Sequence, residues 1–180
     1  MADSQIKLAI LAVVVLAIAA RSASGNGPPS MEFYMYIAVQ NNSLLDNPAP
    51  FTAVQSAAPL QNQSFDFGKI HTFDNPLTTM PSLDLSFRIG RVEGWYGNTG
   101  QSILTLFLVQ TFSFNTTEYN GTLSLVGVDV ASDAVKYASV IGGTGDFAFA
   151  RGVATQTLVS IANIQDRTVS WFHYKLDLKY

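Results

Sequence analysis

Residues 142–152, GGTGDFAFARG, bring a carboxylate, Asp146, close to a guanidinium, Arg151, in a chain where only 13% of residues are charged. A carboxyl group partly withdrawn from water can give or take a proton, and a guanidinium can hold an oxyanion. The glycines of 142–145 supply positive φ without steric cost, which predicts a tight turn leading into an alternating strand, Phe147-Ala148-Phe149-Ala150-Arg151. Asp146 and Arg151 stand at an odd spacing, so along an uninterrupted strand they face opposite sides. They share a pocket only if the strand bulges or Asp146 still belongs to the turn, where it equally suits bonding backbone amides.

Arg91 has the parity of the apolar residues Leu83, Leu85, Phe87 and Ile89. That predicts an inward side chain, serving either a ligand or a structural ion pair with Glu93 or Asp74. Tyr34, Tyr96, Tyr119 and Phe149 are candidates for contact with an aromatic ligand, although tyrosines in strands also serve as wall packing. His71 and His173 lie in no ligand-spaced cluster and read as structural or exposed, so no metal site is expected. No nucleophile-elbow sequence is present, and the absence of cysteine excludes a thiol nucleophile and a disulfide framework.

These residues need a scaffold, and from residue 31 onward the pattern is strand throughout. Residues 31–39, 52–57 and 65–73 are rich in aromatic and β-branched side chains, and Pro76 marks a bend or an edge position. Residues 82–89 alternate with period two and predict the clearest half-buried strand. Residues 103–114 are apolar on both faces, which predicts a second layer or subunit against the outside. Asn120-Gly121 signals a hairpin, and strands follow at 121–130, 135–141, 147–161 and 168–180. About eight strands joined by short turns predict an all-β fold, an eight-stranded antiparallel β-barrel rather than a sandwich. Such a barrel can hold one small ligand.

With 12 Phe, 7 Tyr and 2 Trp, the composition suits that fold. A net charge of -3 gives no reason to expect nucleic acid. Residues 1–24 read as a cleaved secretory signal peptide, since the apolar run is shorter than a bilayer crossing, leaving no membrane association afterwards. Residues 25–30 read as a flexible linker and 31–180 as the barrel domain. Asn41, Asn62, Asn115 and Asn120 begin glycosylation sequons, which fits a secretory route.

Several stretches, taken together and in order, resemble the plant dirigent proteins: FYM at 33–35, DNPLT at 74–78, GRVEGWY at 90–96, EYNGTLSLVG at 118–127 and VIGGTGDFAFARGVA at 140–154. The resemblance implies a barrel like that of allene oxide cyclase, assembled as a homotrimer, secreted to the apoplast or cell wall and working without a cofactor. It implies binding of monolignol-type phenoxy radicals, supplied by an external laccase or peroxidase, and stereoselective coupling of the kind that makes lignans. Related members instead remove water from a phenolic substrate through a quinone methide and close a pterocarpan ring. A third possibility is a defence-related wall protein that binds phenolics without chemistry. Asp146 and Arg151 match acid and base positions the family is thought to use. Lignan-forming members carry His-Asp after the opening aromatic triplet, whereas this chain has Tyr36-Ile37, and their paired cysteines are absent. A pocket short of that acid implies a different substrate, a different mechanism or no chemistry at all.

Overall fold

The computed structural model describes residues 25–40, 53–57, 64–164 and 167–180. Nine strands follow one another: β1 (Ser30–Gln40), β2 (Ala53–Ala57), β3 (Ile70–Thr78), β4 (Arg88–Asn98), β5 (Thr105–Asn115), β6 (Asn120–Val130), β7 (Val135–Gly145), β8 (Arg151–Ile164) and β9 (Arg167–Lys179). They close into a barrel, with β9 antiparallel to β1 over its whole length. Eight long strands make the antiparallel barrel expected from the sequence. The short β2 is wedged between β1 and β3, and its pairing with β1 at Val39 and Ala53 is parallel.

Period-two alternation turns Phe33, Leu77, Val92, Phe112, Leu123, Leu125 and Leu176 fully inward. Phe33 meets Phe112 and Phe114 edge-on at 5.0 and 5.5 Å and stacks on Tyr174 at 5.7 Å. Phe147, from the β7–β8 turn, is fully buried 5.3 Å from Phe114. These rings plug one end of the barrel, where β1, β4, β6 and β8 begin. Each fully buried aromatic side chain contributes about 1.5–3 kcal/mol of transfer free energy.

Several segments differ from expectation. Residues 82–87 are no strand: Leu83 and Leu85 are 54% and 77% exposed, and Leu85–Phe87 is a 3-10 turn capped by Asp84, whose carboxylate accepts from the Ser86 N–H at 2.9 Å. This local side-chain bond competes with a strand ladder and wins. The strand expected at 65–73 starts at Ile70, after a 3-10 turn at Ser64–Asp66. Pro76 is tolerated inside β3 because the β2 pairing reaches only to Phe73 and the β1 pairing begins at Leu77. Residues 142–145 are the end of β7, paired with β6, and the turn follows at 146–149, using positive φ at Gly145 (62°) and Phe149 (66°). Residues 147–150 are therefore not strand.

The expected linker lies along the plugged end. The Gly27 N–H donates to the Asp146 carbonyl at 2.7 Å, the Leu178 N–H to the Pro29 carbonyl at 2.7 Å, and the Tyr180 hydroxyl to the Pro28 carbonyl at 3.1 Å. The expected leader at residues 1–24, and Asn41 and Asn62, lie outside the described residues.

Candidate functional site

The half of the barrel away from the plug holds a cavity of about 150 Å³. Met35, Ile37, Phe73, Tyr96, Leu108 and Phe172 form its apolar wall. Along β5 the inward positions change from Phe114 and Phe112 to Gln110 and Leu108, so large rings stop filling the interior. Beside this wall Gly94 admits no side chain, because a Cβ there would collide with the Val109 carbonyl oxygen and fall 2.9 Å from the tip of the Phe73 ring.

One charged pair stands at this wall. Asp129 shares parity with buried Leu123 and Leu125 on β6, lines the cavity and lies opposite Leu106 of β5. Lys136 reaches it across the β6–β7 turn, with Nζ 2.9 Å from the Asp129 Oδ1, and also donates to the Val130 carbonyl. The two side chains are only 18% and 15% exposed. An ion pair so far withdrawn from water interacts more strongly than a surface pair, and losing either partner leaves a poorly solvated charge. At the inner end, the Gln110 amide donates to the Tyr174 hydroxyl at 3.1 Å, which donates to the Gln156 carbonyl oxygen at 2.7 Å. All three residues line the cavity.

Burial pushes the Tyr96 hydroxyl up to about 12, so it remains a neutral donor. His71 stacks on Tyr96 at 4.8 Å with the rings 19° apart. Its Nδ1 is buried without a partner. Burial lowers the His71 pKa, Lys69 adds to the effect and Asp66 opposes it, so the imidazole is held neutral.

The sequence profile of the Dirigent-like protein family matches residues 29–178. The chain belongs to the dirigent family. It is 32% identical over 134 residues to dirigent protein 14 of Arabidopsis thaliana, covering 74% of this chain and 70% of that protein. It is 37% identical over 100 residues to pterocarpan synthase 1 of Glycyrrhiza echinata, about half of each chain at 54% and 53%. Among solved structures, the pterocarpan synthase dirigent protein GePTS1 superposes with a TM-score of 0.67 at 26% identity, covering 84% of both chains.

In this dirigent barrel the residues singled out from the sequence are not brought together. Asp146 and Arg151 sit at the plugged end. The Asp146 carboxylate accepts from the Asn120 N–H at 2.7 Å, its own N–H donates to the Asn120 carbonyl at 2.9 Å, and Arg151 is exposed and donates to the Ala150 carbonyl at 2.9 Å. Phe149 is 61% exposed. Tyr119 packs on Phe114 and Phe147 within the plug, and Tyr34 lies tilted against His173 on the outer face. Only Tyr96 borders the cavity. Arg91 points outward, because the register breaks at Ile89, between the Leu77–Gly90 and Thr78–Arg88 pairs, so the parity of Leu83 to Ile89 does not carry on to it. It is bidentate to Asp74 at 3.1 and 2.7 Å and meets Glu93 at 2.6 Å, the two partners expected for it. Asp129, Lys136, Gln110, Gln156 and Tyr174 were missed, although Asp129 was legible as an acid on the parity of Leu123 and Leu125. Among the described residues no group of His, Cys, Asp and Glu could hold a metal ion, and no helix is long and apolar enough to cross a membrane.

Proposed function

We propose that this dirigent chain seats one phenolic ring in its barrel cavity and steers a quinone-methide step at the ring's side chain, with no redox chemistry of its own. The Asp129–Lys136 pair beside this largely apolar void carries this reading. A proton from the pair passes to a hydroxyl on the benzylic carbon, the C–O bond breaks and water leaves. The cation left behind is a protonated quinone methide. A second hydroxyl of the substrate attacks the same carbon, closes the ring and returns its proton to the pair. Substrate becomes cyclic product plus water with no change in oxidation state, and the likeness to pterocarpan synthases supports this course. A positioned proton donor and acceptor contributes about 10²–10⁴-fold.

A second reading uses the same cavity. A phenoxy radical from an external laccase or peroxidase is held against Phe73, Tyr96 and Phe172 and coupled from one face, as in lignan formation. Stacking of a planar radical against fixed rings favours it, because stacking decides which face is presented.

The test is to supply a 4-hydroxybenzylic alcohol carrying a second hydroxyl placed for ring closure, without oxidant, and to resolve products on a chiral column. Turnover is expected, and Asp129→Asn should lower it about 100-fold. Absence of turnover, with dimer of one hand forming once a one-electron oxidant is added, replaces the first reading by the second. No cyclisation and only racemic dimer at every protein concentration overturn both.

Assembly and location belong to the same proposal. Trp95, Phe107, Val128, Tyr137 and Val153 make an apolar outer face on β4 to β8, with Trp95 and Phe107 6.0 Å apart. An apolar face left open in this way supports self-association, proposed as a homotrimer. The apolar run within residues 1–24 supports a secretory leader and an apoplastic destination. Asn115 and Asn120 are exposed at the plugged end, where glycans would stand clear of the cavity.

A further inference from the structure

The row formed by Gln110, Tyr174 and Gln156 is hydrogen-bonded only along its length. With the Tyr174 hydroxyl accepting from one amide and donating to the other, one carbonyl oxygen and one NH₂ group are left at the row's ends. Neither end is among the buried polar atoms that lack a partner, and both glutamines line the cavity while being 2% and 8% exposed overall. The free donor and the free acceptor therefore open onto the void. Tyr174 in turn rests on Phe112 at 5.2 Å and on Phe33, so the row is the floor on which the plug ends.

The void matches one ring: an engineered cavity of about 150 Å³ in another protein takes up benzene. Gln110 pairs with Leu125, and Asp129 with Leu106, so floor and ion pair are four residues apart along β5, about 13 Å at the rise of an extended strand. Side chains reaching from both levels shorten that gap toward the length of a ring substituted at opposite ends.

We infer that the Gln110–Tyr174–Gln156 row is a recognition site for a hydroxyl on the aromatic ring, seating a 4-hydroxyphenyl group hydroxyl-down with its reacting side chain toward Asp129 and Lys136. A hydroxyl both donates and accepts, and so satisfies both ends of the row. An ether oxygen satisfies only the donor, and a methyl group satisfies neither. Leaving such buried groups unmatched lowers affinity about 10-fold to 100-fold. The site deepens the phenolic reading above and rests on it, but inert ring probes test it apart from any chemistry.

Equilibrium binding of 4-methylphenol, 4-methylanisole and toluene to the full chain is measured by titration calorimetry. The phenol should bind at least about 10-fold more tightly than toluene, with the ether between them. Gln110→Leu and, as a second variant, Gln156→Met should erase that preference while toluene still binds. Equal affinities in the unmodified protein, no binding of any probe, or a preference that survives both substitutions would each overturn the assignment. Selective phenol binding without turnover would sink only the proposed reaction.

Discussion

Asp146 shows how one residue type at a glycine turn serves two purposes. Its carboxylate, N–H and carbonyl join Asn120 and Gly27 at the plugged end, bonds that hold the turn. Asp146→Ala should lower the free energy of unfolding by about 1–3 kcal/mol in urea titration and leave ring binding unchanged. Loss of binding in a folded variant would return Asp146 to the site. His71 makes a pH-dependent statement. Folded, it is held neutral; unfolded, it gains a proton as pH falls below its usual 6.5. The unfolded state then binds more protons, so stability declines from pH 6.5 downward and levels off below the lowered folded value. His71→Phe keeps a ring against Tyr96 and should flatten that decline below about pH 6.5. Equal losses in both proteins would contradict a neutral imidazole.

Among the elements, residues 82–87 carry the widest gap between pattern and structure. Alternation of Leu83, Leu85 and Phe87 with polar residues fits a half-buried strand, yet alternation only describes what a strand would bury if a neighbour were there to receive it. Asp84 closes a 3-10 turn on Ser86 instead, and Leu85 stands 77% exposed. Leu85→Ser should therefore change stability by no more than about 0.5 kcal/mol, as ordinary surface substitutions do. A loss of about 2 kcal/mol or more, the scale for a buried leucine, would show that this side chain is covered in solution. Register breaks have the same power over faces elsewhere. The shifts between Leu77 and Thr78, Ser124 and Leu125, and Leu158 and Ser160 each change which residues point inward.

At the scale of the molecule, the barrel divides into a half plugged by packed rings and a hollow half that holds the cavity, with an apolar outer face left over. If that face joins three copies, Val128→Asp with Tyr137→Asp should shift the mass seen by light scattering from trimer to monomer. The fold should be retained, since the two side chains are 47% and 63% exposed. An unmodified chain that is monomeric at every concentration would refute the assembly. Strand order, the barrel and the family were legible in the chain because they rest on local signals: alternation, hairpin glycines and motif order. The partners of Arg91 were legible too, since Asp74 and Glu93 lie one strand away or two positions along. The site was not. Its floor unites Gln110, Gln156 and Tyr174 from β5, β8 and β9, and its ion pair spans β6 and β7; only closure of the sheet, with the register summed around the ring, sets those inward positions around one void. The same closure carried the glycine-rich stretch to the opposite end, which no spacing within a single strand could disclose.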